Sequence, residues 1–292
     1  MDKISILISF RNEEDNIKKF IENVKNCFLE KKIKNYEIIF VDDNSSDKSF
    51  NILSNFSRID QKIKIIKMKK RYGHSHSIQA GLENIDENNF CVIMDCDLQD
   101  PPELIAKNLD FNDKINTVHF VRKSRDDSFF QKIYSSVAYY VLYFISFGKI
   151  IKNAGYFKII PPAVTKSLKL DCEFLPYWNY LITKHSLKNK IIYYTRKKRF
   201  MGESKFSFIS LNPWLTYFGG LYHFKLNFII ISVISLILTN FIKFFSKNFL
   251  IDVTLNLIGF FIFANLFFFL IYILFKYRKK KIKCNYELIN FF

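Results

Sequence analysis

Residues 90–103 read FCVIMDCDLQDPPE, an apolar run that ends abruptly in carboxylates. The run from Phe90 to Met94 has the length and composition of a buried strand, and Asp95 and Asp97 follow it directly. Alternate residues of an extended chain project to the same side, so these two carboxylates would face one ligand. Oxygen ligands of this kind suit Mg²⁺ or Mn²⁺, with diphosphate oxygens completing the coordination. The stretch therefore predicts a strand end that carries a metal–diphosphate site.

The chain before this stretch alternates between strand and helix patterns. The predicted strands are Ile4 to Phe10, Tyr36 to Val41 and Ile63 to Met68. The predicted helices are Asp15 to Lys31, Asp47 to Ile59 and Ser75 to Asn84. Such an order predicts an α/β fold, in which a mostly parallel sheet carries helices on both faces.

Polar clusters directly follow four of the predicted strands. They are Arg11-Asn12-Glu13-Glu14, Asp42-Asp43-Asn44-Ser45, Arg71-Tyr72-Gly73 and Asp95-Cys96-Asp97. Any one of them could be an ordinary strand-to-helix turn with capping residues. Ligands of α/β folds bind beyond the carboxyl ends of the strands, so four such clusters in succession predict a shared crevice. In that crevice the second carboxylate pair, Asp42 and Asp43, could accept hydrogen bonds from a nucleobase or ribose.

Arginine is the minority cation of this lysine-rich chain, and most of it lies in or beside the polar clusters. These residues are Arg71, Arg122, Arg125, Arg196 and Arg199. Arginine binds phosphate in a planar, bidentate manner that lysine cannot reproduce, so this placement favours diphosphate recognition. The run RKKRFMGESK at 196–205 could be a phosphate clamp or a solvated basic loop near anionic lipid.

The last third of the chain changes character. Leu226 to Ile242 and Leu250 to Phe275 are almost continuously apolar, with Asp252 the only charge of the second run. A helix rises about 1.5 Å per residue, so these runs approach or exceed a hydrocarbon core of about 30 Å. They predict two transmembrane helices, and a buried helical hairpin is the alternative.

Basic residues after the second run predict the orientation in the membrane. Six lysines and arginines lie between Lys276 and Lys283, which by the positive-inside rule favours a cytoplasmic C-terminus. Two crossings would place the N-terminal part on the same side. The sequence thus predicts a cytoplasmic catalytic domain at 1–209, an interfacial segment at 210–225, membrane helices within 226–275 and a basic cytoplasmic tail at 276–292. The expected location is the plasma (inner) membrane.

Charge and cysteine content bound the remaining function classes. Lys and Arg number 44 against 27 Asp and Glu, and the formal net charge of +17 suits nucleic acid, an anionic membrane or a phosphorylated ligand. Membrane flanks and phosphate binding account for this charge better, so no nucleic-acid partner is predicted. The five cysteines form no CxxC pair, and His74 and His76 have no matching ligand pair. Neither a disulfide framework nor a zinc site is therefore predicted.

Six segments resemble, in the same order, the motifs of family 2 glycosyltransferases. They are ISILISFRNEEDNI, EIIFVDDNSSDKS, RYGHSHSIQAGL, VIMDCDLQDPPELI, FVRKSRDD and RKKRFMGESKFSF, and the resemblance covers about residues 4–206. DLQDPPE and GESK are the most specific. The segments are most similar to the polyprenyl-phosphate branch, which includes dolichol-phosphate mannosyltransferase and bacterial undecaprenyl-phosphate sugar transferases.

The resemblance implies a GT-A fold, a UDP- or GDP-sugar donor and a bound Mg²⁺ or Mn²⁺. It further implies inverting transfer of one sugar to a polyprenyl phosphate at the cytoplasmic membrane face, and leaves homo-oligomerisation open. By motif position, Asp95 and Asp97 would bind the metal. The implied catalytic residues are Asp97, Gln99, Asp100, Arg122 and Arg125. The implied substrate-binding residues are Asn12, Glu14, Asp42, Asp43, Arg71, Gly73, Asp95, Arg199, Ser204 and Lys205.

The chain also departs from the family pattern. Tyr156-Phe157-Lys158-Ile159 stands where Asp/Ser-Phe-Arg-Leu is customary, which removes an expected carboxylate and an expected Arg. A phosphate acceptor needs no general base, so Lys158 is expected to join Arg122 and Arg125 in holding phosphates. Two alternatives stay open. A processive polysaccharide synthase would need a Gln-x-x-Arg-Trp motif and more membrane segments, and a catalytically silent membrane scaffold would explain the departures.

Overall fold

The computed structural model of the chain describes residues 3–123, 136–137, 139–144, 146–170, 177–196, 225–245, 249–277 and 285–289. The chain divides into two compact units. Unit 1 comprises Met1–Ser128, Ile151–Lys205 and Lys283–Phe292, and unit 2 comprises Phe129–Ile150 and Phe206–Ile282. The C-terminal residues thus belong to the same unit as the N-terminus, a relation that the sequence did not reveal. The predicted interfacial segment at 210–225 lies, apart from its last residue, outside the described residues.

Unit 1 alternates strands and helices. Its strands are β1 (Ile4–Phe10), β2 (Tyr36–Asp42), β3 (Ile63–Met68), β4 (Phe90–Ile93), β5 (Thr117–Arg122), β6 (Ala154–Ile160), β7 (Asn189–Tyr194) and β8 (Tyr286–Ile289). Its helices are α1 (Glu14–Glu30), α2 (Ser49–Ile59), α3 (His74–Glu83), α4 (Glu103–Asn108), α5 (Pro162–Leu170) and α6 (Trp178–His185). Every element predicted between Ile4 and Met94 is confirmed within two residues of its expected ends, because each has a strong apolar period.

All strands of unit 1 join one 8-stranded sheet in the order β7-β5-β6-β4-β1-β2-β3-β8. β1 to β4 pair in parallel, as do β5 and β7. β6 runs antiparallel to both β4 and β5, and β8 runs antiparallel to β3. Since β6 reverses direction between β4 and β5, the strands β1 to β5 and β7 all point the same way. Their carboxyl ends and the start of β6 therefore lie at one edge of the sheet.

Apolar side chains cover both faces of the sheet, which explains the near-continuous apolar strands. On one face Phe40 meets Phe10 and Phe20 edge-to-face, with ring centroids 6.0 and 6.1 Å apart. On the other face α3 packs very closely on β1, since a Cβ added to Gly81 would come within 2.0 Å of Leu7 Cδ1. A side chain at this position would require the Leu7 side chain to move aside.

Glu37 is a buried carboxylate at the opposite edge of the sheet, near the start of β2. It is 3% exposed and accepts hydrogen bonds from Lys3 Nζ at 2.7 Å and Ser5 Oγ at 2.6 Å. It also pairs with Lys64 at 2.8 Å. Burial alone raises the pKa of Glu37, but the bonds from Lys3, Lys64 and Ser5 bring it below its ordinary value. The ion pairs of Glu37 with Lys3 and Lys64 thereby link the starts of β1, β2 and β3.

Unit 2 consists mainly of two apolar helices, α7 (Lys225–Phe245) and α8 (Phe249–Tyr277). They form where the two apolar runs predict helices, and Phe228 and Phe269 meet edge-to-face with centroids 5.0 Å apart. Many other apolar side chains of the pair are exposed, among them Ile237 at 62% and Phe260 at 72%. Across the ranges that the structure describes, no helix has the length and hydropathy needed to cross a membrane, so the predicted two-helix transmembrane hairpin is not found there.

We expect Glu37→Ala to lower the free energy of unfolding by about 1–3 kcal/mol, because the variant leaves a buried donor and two ammonium groups without their shared acceptor. The pKa of Glu37 is lowered in the folded state. Its contribution is therefore full above the unfolded pKa of about 4.3 and is lost as the pH falls through the lower folded value. Denaturant titrations between pH 3 and pH 7, followed by tryptophan fluorescence, measure both effects.

Glu287→Ala is the matched control for this variant. Its carboxylate pairs with Lys69 at 3.5 Å, and the two side chains are 59% and 51% exposed. An exposed pair contributes little, so we expect a change within about 0.5 kcal/mol. Equal losses in the two variants would contradict the stabilising role of Glu37.

Candidate functional site

The strand directions bring the polar residues that follow six strands to one edge of the sheet. They form two spatial clusters, of which the first follows β1, β2 and β3 and the second follows β4, β5 and β7. β1 and β4 are neighbours in the sheet, so the two clusters lie side by side. This is the edge at which the sequence predicts a crevice.

Asn12 and Glu14 connect the turn after β1 to the turn after β2. Asn12 has a φ of 54°, its Oδ1 accepts the N–H of Ser46 at 2.9 Å, and its own N–H donates to Ser45 Oγ at 2.9 Å. Glu14 Oε2 accepts the N–H of Lys48 at 2.8 Å. In this structure both predicted substrate-binding residues thus fix the backbone that borders the crevice.

Asp43 holds the loop that follows β3. Its Oδ1 accepts the N–H of Tyr72 at 2.7 Å, and its Oδ2 accepts the N–H of Gly73 at 2.9 Å. Gly73 precedes α3 with a φ of 93°, a conformation that favours glycine. Burial raises the pKa of Asp43, against the effect of these N–H groups and of the charges on Arg71 and Arg11. The carboxylate therefore determines the shape of this loop.

Asp42 lies deeper than Asp43. Its side chain is 0% exposed and Oδ1 accepts the N–H of Ser45 at 2.7 Å. Oδ2 is buried and has no hydrogen-bond partner among the described residues. Burial raises the pKa of Asp42 above its ordinary value. Of the two predicted nucleoside-binding carboxylates, Asp42 therefore has no exposed surface for a ligand in this conformation.

Asp95, Asp97 and Asp100 converge on the guanidinium of Arg196, which follows the end of β7. Arg196 Nη2 lies 3.0 Å from Asp95 Oδ2 and 3.5 Å from Asp97 Oδ2, and Nε donates to Asp100 Oδ1 at 3.0 Å. Leu98 has a φ of 63°, so the chain turns sharply between the second and third carboxylates. Burial disfavours the charge on Arg196, but Asp100, Asp97 and Asp95 raise its pKa above the ordinary value.

Asp95 is the most exposed acid of this cluster, at 33% against 6% for Asp97 and 2% for Asp100. Burial and the neighbouring carboxylates of Asp100 and Asp97 raise the pKa of Asp95 above its ordinary value, against the effect of Arg196 and Arg122. The cluster therefore has more negative charge than one guanidinium balances. The surplus negative charge favours binding of a further cation.

Tyr194 and Arg122 border the acidic cluster. Tyr194 Oη donates to Asp100 Oδ1 at 2.5 Å, and its ring meets that of Phe157 edge-to-face at 5.8 Å. Arg122 ends β5, and its Nη2 lies 3.3 Å from the place where a Cβ on Gly155 would be. Its Nε is buried and has no hydrogen-bond partner within the described part of the chain. Arg122 can therefore offer a donor to an anion at the edge of the cluster.

The segment that departs from the family pattern lies mostly inside the protein. Lys158 is 0% exposed, and its Nζ donates to Asn179 Oδ1 at 2.9 Å and to the carbonyl oxygen of Gly155. Burial lowers the pKa of Lys158 to about 7. Tyr156 packs edge-to-face on His74, with centroids 4.5 Å apart. The ammonium group of Lys158 is thus held by protein atoms, contrary to the expectation that it holds phosphate.

The remaining predicted residues are distributed as follows. Arg71 is exposed. Gln99 adjoins the acidic cluster, since its backbone N–H donates to Asp97 Oδ1 at 3.2 Å. Arg125, Arg199, Ser204 and Lys205 lie outside the described residues.

The sequence did not predict that Tyr194 and Arg196 contact the acidic cluster. The available signal was the strand pattern at 189–194, which puts Arg196 just beyond a strand end, as Asp95 is.

Comparisons with known proteins show the family of the chain. Residues 5–168, more than half of the chain, match the sequence model described as Glycosyl transferase family 2. The chain is 32% identical over 204 residues to the uncharacterized glycosyltransferase YkcC of Bacillus subtilis, covering 69% of this chain and 62% of that protein. The chain thus spans less than two thirds of that relative's length.

Two further proteins are similar. An uncharacterized glycosyltransferase of Synechocystis sp. is 28% identical over 226 residues, covering 77% of this chain and 70% of that protein. A mannosyltransferase from Pyrobaculum calidifontis, solved in complex with GDP-Man and Mn²⁺, superposes with a TM-score of 0.44 and 14% identity, covering 68% of this chain and 58% of that one.

We expect Asp43→Asn to speed amide hydrogen exchange at Tyr72 or Gly73 by about fivefold, because an amide side chain keeps only one of the two acceptors and one hydrogen bond is worth about 1 kcal/mol. Hydrogen-exchange mass spectrometry of peptides spanning 69–76 measures this. Asp42→Asn is the matched control, since Asp42 bonds to Ser45 and not to this loop. The same exchange rates in both variants would refute the role of Asp43.

Proposed function

The chain belongs to glycosyl transferase family 2, and we propose that it transfers one sugar, with inversion, from a nucleotide sugar to a polyprenyl phosphate. The mixed sheet with flanking helices is GT-A-like. The observation that carries the proposal is the convergence of Asp95, Asp97 and Asp100 at the carboxyl edge of this sheet, with Arg122 beside them.

We assign the donor to the two adjoining clusters. The loop held by Asp43 would bind the nucleoside, and Arg71 is exposed on that loop. Arg122, with its buried and unpartnered Nε, would bind the diphosphate. The donor would then lie across the ends of β2, β1 and β4, with its diphosphate toward β5. A donor oriented in this way would bring its anomeric carbon near the acidic cluster.

The donor atoms of the cluster suit a hard divalent cation, although Arg196 lies among them. Asp95 and Asp97 supply the carboxylate oxygens that Mg²⁺ or Mn²⁺ prefers. Within the described ranges, no group of three or more His, Cys, Asp or Glu side chains has the arrangement of a metal site. We propose that Asp95 and Asp97 would hold the ion. When bound, it would stabilise the negative charge that develops on the leaving nucleoside diphosphate.

The proposed acceptor explains why a tyrosine can stand where a carboxylate is customary. A phosphate monoester has a second pKa of about 6, so it is mostly dianionic at neutral pH and can attack without a general base. Tyr156 is packed on His74 and need not accept a proton. The protein would instead hold two anionic groups close together, for which Arg122 and the predicted Arg125 are candidates.

The apolar helices of unit 2 favour an acceptor that is a lipid. Exposed apolar side chains continue along both helices, for example Phe241 at 60% and Phe261 at 55%. Surfaces of this extent are typical of membrane or protein contacts. We propose that they contact the bilayer in which the polyprenyl chain resides, with the catalytic unit on the cytoplasmic side of the plasma membrane.

The test is transfer from a panel of labelled UDP- and GDP-sugars to a short-chain polyprenyl phosphate, with extraction of the lipid product. We expect labelled lipid from at least one donor and none with free polyprenol. Asp97→Asn should lower kcat at least about 100-fold, since metal and charge stabilisation supply several kcal/mol. Asp110→Asn, an exchange at an exposed acid, should leave kcat unchanged.

The alternatives give different products. Long water-soluble glycan would indicate a polysaccharide synthase, and absence of product from every donor would indicate a catalytically silent scaffold. Either result, or full activity of a correctly folded Asp97→Asn variant, would contradict the proposal.

A further inference from the structure

Arg196 lies where a divalent cation would have to bind. Its Nη2 contacts Asp95 at 3.0 Å and Asp97 at 3.5 Å, which are the two carboxylates assigned to the metal. A guanidinium and a divalent ion repel each other strongly at such distances in a partly buried site. Both cations would compete for the same two carboxylates, so binding of one opposes binding of the other.

We propose that Arg196 is a built-in counter-cation, which neutralises the acidic cluster in the unloaded protein and releases Asp95 and Asp97 when the metal–nucleotide complex binds. This rests on the proposed function only in taking the nucleoside diphosphate as the group that accompanies the metal.

The contacts of Arg196 are unequal in a way that permits such a release. Its Nε bond to Asp100 is anchored, since Asp100 is 2% exposed and also accepts a hydrogen bond from Tyr194. The contact to Asp97 is at the long limit of a hydrogen bond, and Asp95 is 33% exposed. The guanidinium can therefore turn about its bond to Asp100 while Nη2 leaves the other two carboxylates.

Displacement of Arg196 from Asp95 and Asp97 would couple binding of the metal to binding of the nucleotide. A metal that binds alone has to displace a guanidinium that gains no new partner. With a nucleoside diphosphate present, the displaced Nη2 can donate to a phosphate oxygen, which restores its pairing. The two ligands should therefore bind with positive cooperativity.

Mn²⁺ titrations followed by electron paramagnetic resonance test this on the purified full-length protein, alone and with UDP or GDP. We expect wild-type protein to bind Mn²⁺ about tenfold more tightly with a diphosphate present, a coupling of about 1.4 kcal/mol. Arg196→Gln should bind Mn²⁺ alone about tenfold more tightly than wild type and lose most of the nucleotide enhancement. Arg58→Gln, at an exposed arginine of α2, should behave as wild type.

Equal or weaker binding of Mn²⁺ alone by a correctly folded Arg196→Gln would overturn the proposal, since a merely supporting arginine predicts a loss. If that variant does not fold, Arg196→Lys decides. It keeps the charge but cannot reach all three carboxylates, so its Mn²⁺ affinity should exceed that of wild type, and an unchanged or lower affinity would refute the proposal. The experiment measures Mn²⁺ binding and not sugar transfer. Failure of this proposal can therefore be distinguished from failure of the proposed function.

The C-terminal strand carries a second inference. The chain leaves the sheet at β7 on one edge, forms α7 and α8, and re-enters it as β8 at the other edge. β8 pairs with β3 from Ile65↔Ile289 to Met68↔Tyr286. The pairing covers the edge of β3, which would otherwise expose unpaired backbone groups.

Strand β8 also fastens the loop that Asp43 holds. The N–H of Asn285 donates to Tyr72 Oη at 3.2 Å, and its carbonyl oxygen accepts the N–H of Lys69 at 3.0 Å. Tyr286 Oη donates to Glu83 Oε2 at 3.0 Å, at the end of α3. The loop and the helix after it are therefore secured from both the Asp43 side and the C-terminal side.

We infer that β8 positions the nucleotide-binding loop, so that the segment after the apolar helices controls donor affinity. This rests on the assignment of the nucleoside to the loop at Asp43. Without β8, Tyr72 would lose the hydrogen bond from Asn285 and the loop would sample more conformations. A smaller fraction of the molecules would then have the loop conformation that binds the nucleotide.

Deletion of residues 285–292 should raise the dissociation constant of UDP or GDP and the donor KM by about tenfold, or 1.4 kcal/mol, with kcat within about threefold. Tyr72→Phe, which removes only the acceptor of Asn285, should give a smaller rise and faster amide exchange at 69–76. Glu287→Ala is the control and should change neither quantity, since its side chain is 59% exposed.

Unchanged nucleotide affinity and exchange in the deletion and in Tyr72→Phe would refute the inference. If β8 only stabilised the fold, its deletion would lower the melting temperature but would not change KM relative to kcat. Nucleotide binding and exchange need no transfer, so these readouts stand apart from the proposed activity.

Discussion

The common direction of β1 to β5 and β7 is the constraint on which the site depends. Parallel strands end at the same edge, and whatever follows each strand is brought together there. The antiparallel β6 adds its first residues to this edge, which places Gly155 beside Arg122. Residues that follow six of the strands thus lie along one edge of the sheet.

Concentrating carboxylates at that edge has an electrostatic cost, and the cations around it offset that cost. Asp97 and Asp100 are buried, and buried charges persist only when they are paired. Arg196 supplies that pairing, while Tyr194 donates a further bond to Asp100. Three carboxylates meet one guanidinium here, so this compensation is incomplete. A site with surplus negative charge and a movable guanidinium is suited to exchanging one cation for another.

The loop that Asp43 holds is also bonded to the C-terminal strand. Asp43 fixes the backbone of Tyr72 and Gly73, and Asn285 bonds to the hydroxyl of Tyr72. The segment between β7 and β8 contains the apolar helices, so the covalent connection runs from the sheet through those helices and back.

The sequence by itself determined the elements up to Met94, the polar clusters at their ends and the two apolar helices, because apolar periodicity and strand-end polarity are local signals. It also indicated the family through its motifs. Only the tertiary structure decided which charges meet. Arg196 is 101 residues from Asp95 in the chain, and β8 joins an edge formed by β3 more than 200 residues earlier, as the Asn285 to Tyr72 bond illustrates with a separation of 213. The burial of Lys158 likewise depends on α6, which supplies Asn179. Such pairings have no local pattern, since they follow from strand order and from the packing of helices on the completed sheet.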